Sequence, residues 1–273
     1  MALDPSSVLL TDRVALITGA AAGIGRGVAE TFARFGADLA LCDRDEANLT
    51  AVAQGAEALG RRVVTGVFDV REPDAVADFC TRVGRELGRV DILVNNAGGT
   101  FRCSFLDVNA KGQDALVREN FTSVTLFVRA VVPLMPPDGG SIINLTSIEA
   151  HRAGPEYAIY SAMKAAVANL TKSLALELGD RQIRVNCIAP DLIPTEGELG
   201  AGGVERQRLG APRTPLLRHG DVDDVSGTAL FLASDLSAYI TGSTIHVDGG
   251  NLAAAGWHRV PGDDDQSWSR WTG

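Results

Sequence analysis

Two kinds of apolar pattern alternate along the chain. Short apolar runs, such as 14–17 and 39–42, are typical of buried strands. They alternate with segments in which apolar residues recur every three or four positions, as Ile24, Val28 and Phe32 do, which is typical of amphipathic helices. Strands are predicted near 13–18, 38–42, 62–68, 90–94, 140–146, 182–188 and 243–247. Helices are predicted near 24–36, 45–59, 72–87, 112–132, 157–178 and 221–234.

This alternation predicts an α/β fold built on one sheet. Apolar strands joined by helices form a mostly seven-stranded parallel sheet with helices on both faces, a doubly wound arrangement that binds ligands at the carboxyl ends of its strands. Residues 1–250 are predicted to form this single domain. Two stretches depart from the pattern. The segment 190–217, rich in glycine, proline and charge, is predicted to be a lid over the ligand site, and 251–273 is a C-terminal extension.

Composition and charge narrow the class of partner. The 273 residues include 34 acidic and 25 basic side chains, and the formal net charge of −9 argues against nucleic acid or an anionic membrane as partner. No apolar run approaches the roughly 18 residues that cross a bilayer, and the N-terminus shows no signal-peptide pattern. The four cysteines and four histidines show no metal-ligand spacing, so no metal is expected. We therefore expect a reducing, cytoplasmic setting.

A glycine-rich turn follows the first predicted strand and precedes the first predicted helix. Its glycines, Gly19, Gly23 and Gly25, let the backbone approach a phosphate, and the helix N-terminus offers it free N–H groups. Asp43 ends the next strand about twenty residues later, where a carboxylate can accept bonds from adenosine ribose hydroxyls. Asp69, after the third strand, could accept a bond from the adenine amino group or cap the following helix. Together these features predict a dinucleotide site.

Polar residues that can transfer a proton follow the fifth predicted strand. Tyr160 and Lys164 are four residues apart, and therefore lie on one face of a helix. A free tyrosine has a pKa of about 10, and a nearby ammonium favours its phenolate form. Ser147, at the end of the neighbouring strand, could hydrogen-bond a substrate oxygen. A Tyr–Lys pair at this spacing also occurs by chance on helix surfaces, so the pair alone does not establish a site.

Taken together, the motifs resemble a known family. The run 18–25, the segment Asn95-Asn96-Ala97-Gly98, Ser147, and Tyr160 with Lys164 stand in the order and spacing of the short-chain dehydrogenases/reductases. The resemblance covers about residues 11–250, including 247–250, and implies a Rossmann-type sheet. No GxSxG motif is present, which argues against a nucleophilic hydrolase.

The resemblance implies roles for individual residues. Tyr160 would be the general acid/base, Lys164 would lower the Tyr160 pKa and bind the nicotinamide ribose, and Ser147 would orient the substrate oxygen. Asn120 matches the family's asparagine, whose amide would hold a water that links Lys164 to solvent. The reaction would be hydride transfer between a nicotinamide and a carbonyl or secondary alcohol, without a metal. Two further residues, Glu149 and His151, could line the substrate pocket.

Cofactor choice depends on a few positions. Asp43 would bind the ribose 2′-hydroxyl of NAD and repel the 2′-phosphate of NADP. Ala22 stands where NADP-dependent members often carry a basic residue, whereas Arg44 could meet a phosphate or stack on adenine. NAD is therefore expected rather than NADP. The expected cofactor-binding residues are Gly19, Ala22, Gly23, Ile24, Gly25, Asp43, Arg44, Asp69, Val70, Asn96, Ala97, Gly98, Tyr160, Lys164, Pro190, Ile193 and Thr195. Asp191 stands where the family usually has glycine, which leaves contacts from it open.

Three functions remain open from the sequence. The first is an NAD-dependent dehydrogenase or reductase acting on a small-molecule alcohol or ketone. The second is a 3-oxoacyl-carrier-protein reductase, which usually prefers NADPH and needs a basic patch for its acidic carrier. The third is a catalytically idle NAD-binding regulator. Asp43 and the negative charge argue against the second, and the intact set of Asn120, Ser147, Tyr160 and Lys164 argues against the third.

The sequence also predicts an assembly. The helices near 112–132 and 157–178 carry apolar residues on more than one face, which requires a second surface to bury them. In the resembling family these helices form a four-helix contact between subunits, which implies a homotetramer. The C-terminal extension holds all three tryptophans, and tryptophan is costly to leave in water. The extension is therefore expected to pack on a neighbouring subunit. The alternatives are that it packs on its own subunit or that it is a disordered end.

Overall fold

A parallel sheet organises the computed structural model, which describes residues 3–195, 214–259 and 268–270. Its strand order is β3-β2-β1-β4-β5-β6-β7, and every neighbouring pair is parallel. The strands are β1 (Val14–Thr18), β2 (Asp38–Asp43), β3 (Val63–Val67), β4 (Ile92–Asn95), β5 (Gly140–Leu145), β6 (Ile183–Pro190) and β7 (Thr244–Val247). The predicted doubly wound fold is confirmed.

Helices connect the strands. They are α1 (Gly23–Arg34), α2 (Glu46–Ala58), α3 (Pro73–Leu87), α4 (Ala110–Val117), α5 (Ser123–Val131), α6 (Ala158–Glu177), α7 (Val222–Ala233) and the short α8 (Asn251–Ala254). One face of the sheet packs against α1, α2 and α7, and the other against α3, α5 and α6. Strand β1 shows why both faces need cover: Ile17 belongs to the first core, and Leu16 to the second. Successive strand side chains point to opposite faces, so a run of apolar residues is buried on both.

The helix predicted over 112–132 contains an interruption. A π-helical turn at Arg118–Thr122 separates α4 from α5, and the main-chain N–H of Ser123 donates to Arg118 O, five residues earlier. A π-helical turn accommodates an extra residue without disturbing the apolar face on either side, so apolar periodicity does not reveal it. Asn120, a predicted site residue, lies on this turn.

The C-terminal extension contains regular structure in the part that the structure describes. Helix α8 begins after a three-residue connection from β7, and two short antiparallel strands, β8 (Trp257–Arg259) and β9 (Trp268–Arg270), pair with each other. The order expected for the whole segment and its expected contact with another subunit stay predictions. Most of the predicted lid, residues 196–213, lies outside the described residues. Within the described ranges, no helix combines the length and apolar character needed to cross a bilayer.

Candidate active site

The glycine-rich turn and the end of β4 meet where the strand order reverses. Strand β1 lies between β2 and β4, so the chain leaves β1 towards one half of the sheet and returns to build the other half from β4. Doubly wound sheets bind ligands in the crevice at this switch point. The predicted cofactor residues of the turn and of 96–98 flank this crevice.

The glycine-rich turn has the geometry of a phosphate cradle. Gly19 and Gly23 have φ angles of +67° and +55°, which glycine adopts without strain. A Cβ on Gly25 would lie 2.0 Å from Gly19 O, so only glycine fits there. The N-cap residue of α1, Ala22, makes no side-chain capping bond, and the first N–H groups of the helix therefore remain available to an anion. These features fit the pyrophosphate of a dinucleotide.

Asn96 holds the turn in place. Its Nδ2 donates to Thr18 O at 2.9 Å and to Gly19 O at 3.0 Å, and its main-chain N–H donates to Thr18 Oγ1 at 3.0 Å. The main-chain N–H of Ala97 donates to the same hydroxyl at 2.9 Å. The side chain of Asn96 therefore positions the glycine turn through protein contacts, and residues 96–98 follow the same crevice.

The carboxylate at the end of β2 is held by the backbone. Asp43 Oδ2 accepts from the Ala21 N–H at 3.0 Å, and Oδ1 accepts from the N–H groups of Arg44 and Asp45 at 2.7 and 3.1 Å. These bonds fix a negative charge beside the glycine turn, at the position predicted for the adenosine ribose. The side chain of Arg44 is exposed at the same strand end.

The carboxylate of Asp69 is paired with a neighbouring arginine. The Arg71 Nε donates to both of its carboxylate oxygens, at 2.9 and 3.0 Å, and these bonds lower the pKa of Asp69. Helix α3 begins at Pro73 and its N-cap is Glu72, so the suggested capping role of Asp69 is wrong. A contact with the adenine amino group stays a prediction. Val70, which follows, is buried in the second core.

Lys164 and Tyr160 come together on the first turns of α6. The Lys164 ammonium lies 5.6 Å from the centroid of the Tyr160 ring and donates to Leu145 O at 2.9 Å. Lys164 is only 5% exposed, and burial lowers its pKa to about 8, although Cys187 and Glu119 act in the opposite direction. A cation with a pKa near neutrality is suited to proton transfer.

Ser147 follows β5 and caps a 3₁₀ turn at Ile148–Ala150. Its Oγ accepts a hydrogen bond from the main-chain N–H of Glu149 at 3.1 Å. Since that bond uses the oxygen as an acceptor, the hydroxyl hydrogen is left for donation to another group. The residue is buried just beyond the carboxyl end of β5, two residues after Leu145, whose main-chain oxygen accepts from Lys164.

The side chain of Asn120 is fully buried and bonded to the backbone. Nδ2 donates to Gly99 O at 2.8 Å and to Leu116 O at 3.0 Å, while Oδ1 accepts from the Gly99 N–H at 3.3 Å. Both amide hydrogens are therefore used, and a water could be held only by an acceptor of this residue. A Cβ on Gly98 would lie 2.9 Å from Asn120 Oδ1 and 3.1 Å from Lys164 Nζ, so both polar groups lie next to the position that a side chain here would occupy.

Two predicted substrate residues are held by neighbouring side chains. Glu149 Oε1 accepts from Arg152 Nη2 at 2.8 Å and from Nε at 3.2 Å, and Oε2 is buried. The His151 ring meets the His246 ring edge-on, with centroids 4.6 Å apart. Burial lowers the pKa of His151, and the nearby His246 and Lys172 act in the same direction. Their role in lining the substrate pocket stays a prediction.

The segment after β6 reaches the glycine turn. A Cβ on Gly23 would lie 3.1 Å from Thr195 Cγ2, so Thr195 packs directly over the turn. Pro190 ends β6 and Ile193 is buried in the first core. These contacts place the predicted nicotinamide-binding segment beside the predicted phosphate cradle.

Sequence reasoning missed an apolar depression beside Tyr160. It is lined by Phe101, Cys103 and Phe105 from the loop before α4, and by Ile159 and Tyr160 from the start of α6. The sequence did contain an indication of this depression, because Phe101 and Phe105 are large apolar residues in a loop. Both side chains remain partly exposed in the structure. Within the described residues, no group of three or more histidine, cysteine, aspartate or glutamate side chains could hold a metal ion.

Known proteins are similar to this chain over nearly its whole length. The family described as enoyl-(acyl carrier protein) reductase matches residues 19–251. Gluconate 5-dehydrogenase of Gluconobacter oxydans is 38% identical over 248 residues, covering 90% of this chain and 97% of that protein. A 3-oxoacyl-(acyl-carrier-protein) reductase of Thermotoga maritima is 38% identical over 243 residues, covering 88% and 98%. A solved 7α-hydroxysteroid dehydrogenase, complexed with NADH and 7-oxo glycochenodeoxycholic acid, is 30% identical with a TM-score of 0.86, covering 91% of this chain and 98% of that chain.

Proposed function

This chain belongs to the short-chain dehydrogenase/reductase family, and on that premise we propose that it is an NAD(H)-dependent enzyme that interconverts a secondary alcohol and its ketone. Membership makes it an oxidoreductase that acts on an alcohol or ketone with NAD(P). The proposal adds the choice of NAD(H) and the roles of individual residues.

One observation carries the proposal: a buried ammonium lies beside a tyrosine ring at the carboxyl edge of the sheet. Lys164 favours the phenolate form of Tyr160, because opposite charges stabilise each other most strongly where water is excluded. Tyr160 then removes the hydroxyl proton during oxidation and returns a proton to the substrate oxygen during reduction. Ser147 donates its hydroxyl hydrogen to that oxygen and holds it in place.

The cofactor supplies or accepts the hydride when bound. The turn from Gly19 to Gly25 and the uncapped N-terminus of α1 would hold its pyrophosphate. Asp43 supports NAD over NADP, because a fixed carboxylate beside the turn would repel a 2′-phosphate. Exposed Ala22 offers that phosphate no positive charge, although Arg44 nearby could.

A second candidate is a 3-oxoacyl-(acyl-carrier-protein) reductase. The relative of this name in Thermotoga maritima is as similar to this chain in sequence identity as the gluconate dehydrogenase is, which supports this candidate. The net charge of −9 argues against it, because an acidic carrier protein would be repelled. A catalytically idle regulator has less support, since Asn120, Ser147, Tyr160 and Lys164 are all present.

We also propose that the enzyme is a homotetramer with no nucleic-acid or membrane partner. Leu176 on α6 is 82% exposed in the single chain, which supports a subunit contact through this helix. A cytoplasmic location stays a prediction from the sequence.

A substrate screen tests the proposal. Secondary alcohols and their ketones, including sugars, sugar acids, hydroxysteroids and acyl thioesters, are incubated with NAD(H) and NADP(H), and the reduced cofactor is followed by absorbance. We expect turnover of at least one alcohol–ketone pair with a preference for NAD(H). Turnover confined to 3-oxoacyl thioesters with NADPH would favour the second candidate, and a complete lack of turnover would contradict both.

A further inference from the structure

A chain of polar contacts leads from the C-terminal segment to Ser147. Asn251 Nδ2 donates to Asp191 Oδ2 at 2.6 Å, and Asp191 Oδ1 lies 3.6 Å from Arg152 Nη2. Arg152 donates to Glu149 Oε1 from both Nη2 and Nε. The main-chain N–H of Glu149 in turn donates to Ser147 Oγ at 3.1 Å. We call the four residues Glu149, Arg152, Asp191 and Asn251 the Ser147 tether.

The tether joins three segments that are distant in sequence. Glu149 and Arg152 lie in the loop after β5, Asp191 directly follows β6, and Asn251 begins α8 after β7. The main-chain N–H of Asp191 also donates to Val247 O, the last residue of β7, at 3.1 Å. All three segments therefore lie at the carboxyl edge of the sheet, where doubly wound folds bind their ligands.

The charges of the tether are only partly exposed to water. The exposed fractions of the Glu149, Arg152 and Asp191 side chains are 22%, 36% and 17%. Such pairs interact more strongly than fully exposed ion pairs, because less water screens them. Glu149 Oε2 is buried without a hydrogen-bond partner in the part of the chain that the structure describes, so the bonds from Arg152 to Oε1 are important for holding this side chain. Arg152 itself is shared with Asp191.

Gly154 shows how tightly the loop is packed around this carboxylate. A Cβ at that position would lie 2.8 Å from Glu149 Oε2 and 2.4 Å from the Oγ of Ser161, the residue after Tyr160. The tether therefore lies against the start of α6 as well as holding Ser147. Small shifts of Arg152 would move the loop relative to both residues that are proposed to contact the substrate oxygen.

Asp191 is what distinguishes this chain. Members of the resembling family usually have glycine at this position, and glycine can neither accept from Asn251 nor pair with Arg152. The tether therefore depends on a side chain that the general family pattern does not supply.

We propose that Asp191 is a positioning residue for Ser147, holding the loop after β5 through Arg152 and Glu149, and that Asn251 makes this position depend on the C-terminal segment. The proposal rests on the role of Ser147 in the proposed function. A displaced hydroxyl would still permit cofactor binding but would orient the substrate oxygen poorly. Loss of the Asp191 side chain therefore lowers kcat rather than the affinity for NAD.

The first experiment compares Asp191→Gly, Asp191→Asn and Asn251→Ala in the full-length chain. We expect kcat to fall about tenfold in Asp191→Gly and less in Asp191→Asn, which can still accept from Asn251. The Kd for NAD, measured by quenching of protein fluorescence, should stay within about twofold. The matched control is Asp235→Asn. Asp235 pairs with Arg13 at 2.5 Å, and Arg13 directly precedes β1, so this ion pair lies at the opposite edge of the sheet from the proposed site. Its kcat should not change.

The second experiment needs no turnover. Hydrogen exchange of the peptide covering 147–154 reports the Glu149 N–H that bonds Ser147, and we expect exchange to be about tenfold faster in Asp191→Gly and in Asn251→Ala. Unchanged exchange and unchanged kcat in both variants would overturn the proposal. If Asp191→Gly does not fold, the same two measurements on Asn251→Ala alone decide the question. A wild-type chain that oxidises no alcohol would contradict the proposed function, while the exchange rates would still decide whether the tether holds the loop.

Discussion

At the scale of single residues, the burial of Lys164 has an energetic consequence. Burial lowers its pKa from 10.5 to about 8, so between these values the unfolded chain binds more protons at this residue than the folded chain. The free energy of unfolding therefore rises with pH across this window, and the full cost of burying the charge is present below pH 8. Under the proposed function, this cost is retained because the ammonium acts on Tyr160.

Lys164→Met should consequently stabilise the folded chain at pH 7 while abolishing turnover. The expected gain is up to about 3 kcal/mol, reduced by the lost bond to Leu145 O, and it should shrink as pH rises towards 10. Urea unfolding at several pH values measures it. Lys172→Met, on the exposed face of the same helix, is the matched control and should show no such gain. A gain that grew with pH would contradict the cost assigned to Lys164.

The charge of Asp43 is expected to set the preference for NAD over NADP. Asp43→Asn keeps an oxygen that can accept from the Ala21 N–H but removes the charge that faces a 2′-phosphate. The ratio of kcat/KM for NAD to kcat/KM for NADP should fall about tenfold or more, because repulsion of NADP is lost. Steady-state rates with both cofactors measure it. A wild-type enzyme that already prefers NADP would contradict this role of Asp43.

At the scale of elements, the π-helical turn and the end of β4 place the polar groups. The turn at Arg118–Thr122 directs Asn120 towards Gly99, and the absence of a side chain at Gly98 lets Asn120 and Lys164 approach the same segment. This packing leaves no room for a methyl group.

Gly98→Ala should therefore impair catalysis. The new Cβ would lie 2.9 Å from Asn120 Oδ1 and 3.1 Å from Lys164 Nζ, so one of them must shift. We expect kcat to fall at least about tenfold, because both groups serve the proposed proton path. Gly55→Ala in α2 is the control: no atom lies within 4 Å of its Cβ position, and alanine favours a helix. Equal activity of the two variants would contradict the predicted role of Gly98.

The sequence predicted the elements better than it predicted the contacts between them. Apolar periodicity located the seven strands and most helix ends to within about three residues, because burial on both sheet faces leaves a strong pattern. Motif spacing placed Tyr160 beside Lys164, since a helix brings such residues together. Neither signal could show that Arg71 occupies the carboxylate of Asp69, or that Arg152 is shared by Glu149 and Asp191. Those contacts depend on loop geometry, which has no periodicity.

At the scale of the whole molecule, two surfaces of the single chain have features that favour contact with another subunit. Leu176 on α6 is exposed, and β7 is an edge strand of the sheet. An edge strand and an exposed apolar side chain on a helix both favour association. Two different self-complementary contacts would give a tetramer with two-fold axes.

Light scattering at micromolar concentration should therefore give about 115 kDa, four times the 28.7 kDa chain. Leu176→Arg should lower this mass, whereas Leu59→Arg, at an exposed leucine next to α2, should not. A chain ending at Gly250 tests the extension: an unchanged mass, melting temperature and substrate KM would remove any role for it. A monomeric wild-type chain would contradict the proposed assembly.

The central claim is that Tyr160 moves the proton, and Tyr160→Phe tests it most directly. This variant keeps the ring beside Lys164 but removes the hydroxyl, and Tyr239→Phe, at a fully exposed tyrosine, is the matched control. With the best substrate from the screen, kcat should fall by about two orders of magnitude or more, because general acid–base catalysis is lost. The Kd for NAD should stay within about twofold of the wild-type value. A Tyr160→Phe enzyme whose turnover stays within a few-fold of the wild type would contradict the claim.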